Sequence, residues 1–314
     1  MSAVPAIDRR HSLGGSDVAA ALGLDPRKTP LDVWREKLLG ADPINSPALR
    51  RGKFLEPAVI RRYQAMGMPA VLQVPLSRDG WRSGSVDAMT GEKQNIVVEV
   101  KTVSRRVFEA DWGDAGTDDV PDRVLCQALW YAELADAEHS EVVAAVLPED
   151  PDEVLGLTAD EVAAACEIHV YPIARNREVE AQIVERAWKF WHVNVKQEIP
   201  PDRRDLEDTR KLWQRSRAGK YVEADAAAVR LLQALELCKG EASDVKERID
   251  QLQFQIAEIL RDNEGLVVRM PGSDTLSPIL TWKTTKRDGY TVAPTEFRQF
   301  RFTKWWAKLT GAQQ

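Results

Sequence analysis

RSGSVDAMTGEKQNIVVEVK, residues 82–101, is the stretch on which the fold turns. Both of its ends are rich in β-formers, and Thr90-Gly91 between them is a turn signal. Upstream, VLQVPL at 71–76 is a further β-rich run, closed by Asp79-Gly80. The spacing predicts three consecutive strands over 70–101. In IVVEVK, residues two apart point to the same face, so Glu99 and Lys101 share one side while Val98 and Val100 point the other way, into a core. An acid and a base on an otherwise apolar central strand are costly to bury without a purpose.

Ahead of these strands, SDVAAALGL at 16–24 begins with a Ser/Asp cap before an apolar run, and Pro30 to Leu39 reads as a second helix. KFLEPAVIRRYQAM at 53–66 aligns Leu55, Val59, Tyr63 and Met66 on one helical face, with Pro57 tolerable only in the first turn. Behind the strands, a Gly/Asp-rich loop at 111–119 leads into a helix around 121–135. VVAAVL (142–147) and CEIHVYPI (166–173) read as strands, and 178–197 as a long amphipathic helix carrying Trp188 and Trp191. This order of elements defines an α/β domain with a mixed sheet. Pro200-Pro201 then punctuates the chain, separating a core at 1–200 from a region at 201–314. In the latter, Leu231, Leu235, Cys238, Ala242, Val245, Ile249, Leu252, Ile256 and Ile259 follow an alternating four-three spacing, a heptad seam that Gly240 is placed to break into a helical hairpin. The seam suits either helices packing on their own domain or a contact between subunits. Residues 266–283 read as a short β-hairpin, followed by the basic aromatic tail FRQFRFTKWWAK.

The 314 residues are 44% hydrophobic and 29% charged, the values of a globular chain and not of a disordered one. No apolar run approaches the roughly 18 residues of a membrane span. The segment MSAVPAIDRR lacks the apolar centre of a secretory signal. Cys126, Cys166 and Cys238 are too few for a disulfide framework or a four-cysteine cluster. A cytoplasmic protein with no membrane partner is expected. The net charge of −6 speaks against a nucleic-acid partner, until it is divided along the chain. Residues 1–63 hold 11 Lys/Arg and 7 Asp/Glu, residues 64–200 hold 12 and 25, and residues 201–314 hold 20 and 17. The acidity belongs to the middle and both flanks are basic, which suits an anion-binding surface beside a carboxylate-rich centre.

Asp87, followed in the next strand by Glu99-X-Lys101, is the pattern of divalent-metal nucleases. Two carboxylates hold Mg²⁺ through oxygen, and the lysine positions or activates the attacking water and offsets charge on the phosphorane. Glu56, placed to open a helix just upstream, adds a third carboxylate. Gln127, on the helix that follows, is placed to hydrogen-bond the nucleophilic water or a phosphate oxygen. Taken singly, each has a plainer reading: an edge-strand ion pair, a helix N-terminal acid, a solvent-facing glutamine. Their order across helix, strand, strand and helix gives the set its meaning.

RRHSLGGSDVAAALGLDP, GKFLEP, SGSVDAM, VEVKT and CQALWYAEL together resemble the YqaJ-type viral recombinase domain, related to lambda exonuclease, over roughly residues 8–200. The resemblance implies the restriction-endonuclease-like PD-(D/E)XK fold: a mixed central β-sheet flanked by helices, here followed by a helical arm and a small β-hairpin. It implies a Mg²⁺-dependent exonuclease, with two ions and Mn²⁺ able to substitute, digesting one strand of linear double-stranded DNA from its 5′ end. The 3′ tail would go to a single-strand annealing protein in phage-type recombination, inside a bacterial host. Glu56, Asp87, Glu99 and the backbone carbonyl of Val100 would be the metal ligands, and Lys101 catalytic. Arg9 or Arg10, Ser16 and the exposed amides of Gly14-Gly15 would take the terminal 5′-phosphate, an anion site that the chemistry supports. Relatives form rings around DNA, so a trimer or tetramer is expected. Two departures stand out: Leu129 occupies the place of a second glutamine, and Val86 that of the proline in the family's name.

An endonuclease of the same fold, or a DNA-binding assembly protein with structural carboxylates, remain alternatives. Two basic stretches interleaved with aromatics suit DNA contacts. They run from Arg203 to Tyr221, and through the tail with Arg298, Arg301, Lys304 and Lys308. The acidic stretch Glu109–Asp122 lacks the order of an EF-hand and reads as a mobile loop at the mouth of the site. The four histidines show no metal-ligand spacing.

Overall fold

The three strands expected over 70–101 form: β1 (Ala70–Arg78), β2 (Arg82–Thr90) and β3 (Ile96–Ser104). They belong to a computed structural model of the chain, which describes residues 10–40, 46–149, 156–269 and 276–284. Asp79 and Gly80 adopt φ of 56° and 70° in the β1–β2 turn, the left-handed backbone that a tight hairpin requires. β3 pairs in parallel with β4 (His139–Leu147), and β4 pairs antiparallel with β5 (Glu167–Ala174), so the five strands run in spatial order β1-β2-β3-β4-β5. The parallel pair needs a crossover, and α4 (Arg105–Asp111) and α5 (Asp122–Ala135) supply it. This is the expected mixed sheet flanked by helices.

Helices cover both faces. On one, α1 (Gly15–Ala21), α2 (Pro30–Leu39), α5 and α7 (Arg177–Lys189) bury Trp34, Leu129 and Trp130 against Val97, Val103, Val142 and Val146. On the other, α3 (Pro47–Ala65) and α6 (Ala159–Ala165) set Leu55, Val59, Tyr63 and Val162 on Ala88, Val98, Val100 and Val143. β3 and β4 are thus buried on both sides, which is why they read as continuous apolar runs and not as alternating ones.

Several expectations are corrected. α1 begins on Gly14 as N-cap with no side-chain cap; Asp17 turns inward to Lys37 and Lys28, whose ammoniums attract it more strongly than backbone amides. α3 starts well before residue 53, because Ser46 accepts from the Leu49 amide and Pro47 occupies the first turn. Pro57 therefore lies inside the helix, and Glu56 does not open it. Having no N–H, Pro57 leaves the Lys53 carbonyl without its helical donor; burial of Leu55, Ala58, Val59 and Tyr63 holds both halves of the helix to the sheet. α4 and α6 are additions, each too short for periodicity to reveal. The long helix after β5 stops at Lys189 and continues as a π-helical turn, Phe190–Val195, in which Trp191 is buried while Trp188 before it is half exposed.

The chain divides into two units, Met1–Leu212 and Trp213–Gln314, and not at Pro200-Pro201. The buried Asp208 of α8 (Leu206–Leu212) accepts from the Thr29 hydroxyl at 2.8 Å and from the Arg204 amide at 3.0 Å, which ties this helix to the first unit. In the second unit, α9 (Ala226–Leu260) is one continuous helix of 35 residues, not a hairpin. A glycine within a helix costs only about 1 kcal/mol relative to alanine, which the length of α9 absorbs. β6 (Gly265–Arg269) and β7 (Leu276–Thr281) form the expected antiparallel pair. The tail from 285 onward, with its basic and aromatic residues, lies outside the described residues.

Candidate active site

β2 and β3 pair only from Thr90↔Ile96 to Ala88↔Val98, and then separate. The Val100 N–H, next in line to bond β2 backbone, instead donates to Asp87 Oδ2 at 2.7 Å. Within a strand, the N–H and C=O of one residue point to the same edge, so the Val100 carbonyl also faces this gap. On the far side of β2 the ladder with β1 runs through Leu72↔Ala88 and Val74↔Val86 but omits Gln73 and Asp87, and Gln73 has φ 49°. A left-handed non-glycine residue costs on the order of 1–3 kcal/mol and persists only where its surroundings impose it; here it lies opposite Asp87.

Glu99 and Lys101 point toward α5, where Gln127 joins them in a closed triangle. Lys101 Nζ donates to Glu99 Oε1 at 2.6 Å and to Gln127 Oε1 at 2.9 Å, and Gln127 Nε2 donates to the same Glu99 oxygen at 2.6 Å. Glu99 is 3% exposed, and its second oxygen, Oε2, is buried with no hydrogen-bond partner. A buried carboxylate oxygen without a donor is costly, so it calls for a cation. Gln127 thus orders the acid and the base. Leu129, at the place of the second glutamine, is buried in the core.

Burial, then the charge of Glu99, then that of Glu56 push the Asp87 carboxyl well above the ordinary range, against the weaker pull of Lys101 and the Val100 amide. Burial and Glu99 likewise raise Glu56, which α3 carries to the site. Two carboxyls pushed up beside the charge of Glu99, and one orphaned Glu99 oxygen, fit a divalent cation. Among the described residues, however, no group of three or more His, Cys, Asp or Glu is arranged to hold an ion unaided. Such a site would use the carboxylates together with water and substrate oxygens, as Mg²⁺ commonly does.

The Gly-Gly-Ser-Asp segment is fastened to β2. Leu13 N–H donates to the Trp81 carbonyl at 2.7 Å and Ser83 N–H to the Leu13 carbonyl at 3.1 Å, and the Ser12 and Ser83 hydroxyls share a hydrogen bond. The ring of Tyr131, on α5, lies against both Gly15 and Gly84: a Cβ on Gly84 would stand 2.6 Å from Cε1, and one on Gly15 would overlap the ring. Gly15 is therefore buried and does not offer the exposed amide expected of it, while Ser16 is exposed. Sequence reasoning missed Tyr131; the signal was the pair of glycines, which only a shared neighbour explains. Arg10 has its guanidinium against Gly40, the C-cap of α2, and Arg9 lies outside the described residues. The expected mobile acidic loop is tied down: Trp112 and Val120 are buried, Gly113 N–H donates to the Asp119 carbonyl at 2.9 Å, and Gly116 N–H to the Val170 carbonyl at 2.9 Å.

Residues 7–138 match the YqaJ-like viral recombinase domain, a span that contains Glu56, Asp87, Glu99, Val100, Lys101 and Gln127 together with the Gly-Gly-Ser-Asp segment. The chain is 25% identical over 272 residues to the uncharacterized protein YqaJ of Bacillus subtilis strain 168, covering 82% of this chain and 78% of that one. Among solved structures it is similar to the alkaline exonuclease LHK-Exo of Laribacter hongkongensis, with 17% identity, a TM-score of 0.45, and coverage of 66% and 95% of the two chains. It is also similar to a phage-related exonuclease of Haemophilus somnus 129PT, with 13% identity, a TM-score of 0.41, and coverage of 60% and 96%.

Proposed function

We propose that this chain is a Mg²⁺-dependent 5′-to-3′ exonuclease that digests linear double-stranded DNA and leaves 3′ single strands for annealing-type recombination. The observation that carries the reading is the Glu99–Lys101–Gln127 triangle with its buried, unpartnered Glu99 Oε2. Asp87, Glu99, Glu56 and the Val100 carbonyl are the ligands in this reading. A divalent cation bound there, alone or as one of two, supplies Lewis-acid polarisation of the phosphodiester and lowers the pKa of bound water; Mn²⁺ would substitute. Lys101, held by Glu99 and Gln127, would keep the attacking water in line and offset charge building on the phosphorane. Asp87 is fixed by accepting from the Val100 amide through one of its oxygens.

The 5′-phosphate would be taken by the exposed Ser16 hydroxyl with Arg9 or Arg10. The hydrogen bonds of Leu13 to Trp81 and Ser83 and the Tyr131 ring hold this segment beside the strand that carries Asp87, and in this reading a seated chain end would present its first phosphodiester to the carboxylates. Processive digestion calls for a homo-oligomeric ring, a trimer or tetramer, and the product for a single-strand annealing partner, in the cytoplasm of a phage-bearing bacterium.

Linear duplexes bearing 5′-phosphate or 5′-hydroxyl, incubated with Mg²⁺ beside a closed circle, test the reading. Shortening of the linear strands from the 5′ end, faster with phosphate, is expected, with the circle intact. Cutting of the circle would make the protein an endonuclease of this fold, and no cutting with either Mg²⁺ or Mn²⁺ would leave a DNA-binding protein.

A further inference from the structure

Among the described residues, nothing covers most of the α9 seam. Leu231, Val245, Leu252 and Ile259 are 72%, 58%, 51% and 67% exposed, and Ile249 and Ile256 are 48% and 37% exposed. Four heptads of such residues along one helix are far beyond the scattered apolar side chains of an ordinary surface. Their spacing fixes the register: Leu235, Ala242, Ile249 and Ile256 fall at a positions, and Leu231, Cys238, Val245, Leu252 and Ile259 at d. Gly240 falls at f, the outermost position, where a missing side chain removes nothing from a seam.

We propose that α9 is one strand of a parallel, in-register, two-stranded coiled coil with α9 of a second copy of this chain. The flanking charges select the occupant and its direction. In a parallel pair each g residue meets the following e residue of the partner helix, so Glu241 would meet Lys246 of the second copy twice, and no like charges would meet. In the antiparallel arrangement that brings Glu241 to Arg248, Lys239 would face Lys246 twice. Ile249 and Ile256 at a with Leu231 and Leu252 at d follow the two-stranded preference. An isologous pair of this kind suits an even number of subunits in the whole assembly. The proposal stands apart from the nuclease reading, since it concerns association alone.

Cys238 gives a direct readout, because in a parallel d layer the two copies of this residue face one another within disulfide reach, while Cys126 and Cys166 are buried. Mild oxidation of the full-length protein should yield a two-chain species that consumes all the Cys238 thiol and is absent in Cys238→Ser. Ile249→Asp should weaken self-association, read by sedimentation at micromolar concentration, by roughly tenfold or more, since it buries unpaired charge, and should suppress the cross-link. Glu241→Lys should weaken both, and Glu241→Lys with Lys246→Glu should restore them. A monomer with no cross-link would mean that the seam is covered by the chain's own tail or by another protein, and would overturn the proposal. So would self-association lost in Ile249→Asp but never cross-linked through Cys238, which is the antiparallel result. A cross-link indifferent to Ile249→Asp would be collisional, and one third of the thiol left free would mean three strands; either result also overturns it.

Discussion

Gln127 acts through two other side chains: by donating to Glu99 Oε1 and accepting from Lys101 it leaves Glu99 Oε2 as the one oxygen still open. Gln127→Ala should therefore lower cleavage by roughly 10–100-fold, the usual cost of removing a group that orients a ligand, with little change in unfolding midpoint; unchanged cleavage would deny it that role. Asp87 makes the opposite trade. Burial and the charges of Glu99 and Glu56 raise its folded-state pKa above that of an unfolded chain, so the ionised form subtracts stability, increasingly as pH rises from about 4 through the raised value. In EDTA at pH 8, Asp87→Asn should melt higher than the wild type, by roughly 2–4 °C for each kcal/mol relieved. Mg²⁺ should raise the melting temperature of the wild type alone. A lower melting temperature for the variant in EDTA would contradict the carboxylate crowding. Gly84→Ala should destabilise by about 1–3 kcal/mol, the typical cost of overpacking, because its Cβ meets the Tyr131 ring. Ser85→Ala, on the exposed side of the same strand, should not. Equal denaturant midpoints for the two would remove the Tyr131 contact from the account.

At the scale of elements, α2 was fully legible and α1 was not. Thr29 and Asp32 form a capping box, Pro30 sits in the first turn and Gly40 ends α2 at φ 59°, all local signals. α1 looks capped by Ser16 and Asp17, yet Asp17 serves tertiary structure: Lys37 Nζ lies 2.7 Å and Lys28 Nζ 3.0 Å away, a pairing across sequence distance that no local pattern reveals. Burial would raise the Asp17 pKa, but the two ammoniums outweigh it and hold it below its ordinary value. The ion cluster therefore contributes stability above about pH 4 and loses it as pH falls through the depressed value. Asp17→Asn, which removes the carboxylate shared by Lys37 and Lys28, should cost about 3–5 kcal/mol at pH 7, and the gap to the wild type should shrink in a urea series carried down to pH 3. A gap constant with pH would assign the loss to packing. Pro57 misled for a similar reason: its proline signal is local, whereas α3 is held by apolar contacts to the sheet on both sides of it.

Over the whole molecule, the three consecutive strands and the Asp87–Glu99–Lys101 set could be read from residues 70–101, and the sheet's mixed character from the order of elements, because strand alternation and turn chemistry are local. The β2–β3 separation, the left-handed Gln73 opposite Asp87 and the Tyr131 wedge could not, because each depends on chain segments brought together only by folding. The charge of −6 also changes meaning. Its acidic excess lies in the middle segment that supplies Asp87 and Glu99, and among the described residues no helix is long and apolar enough to cross a membrane. A carboxylate centre between basic flanks suits a polyanionic substrate only when cations screen the centre. The most direct test is release of nucleotides from linear duplex DNA by the wild type, Lys101→Ala and Asp87→Asn, each in Mg²⁺ and in EDTA. The wild type should cut only with Mg²⁺, and both variants should be inactive while still binding DNA. Cleavage by the wild type in EDTA, or undiminished cleavage by either variant, would contradict the assignment of this site.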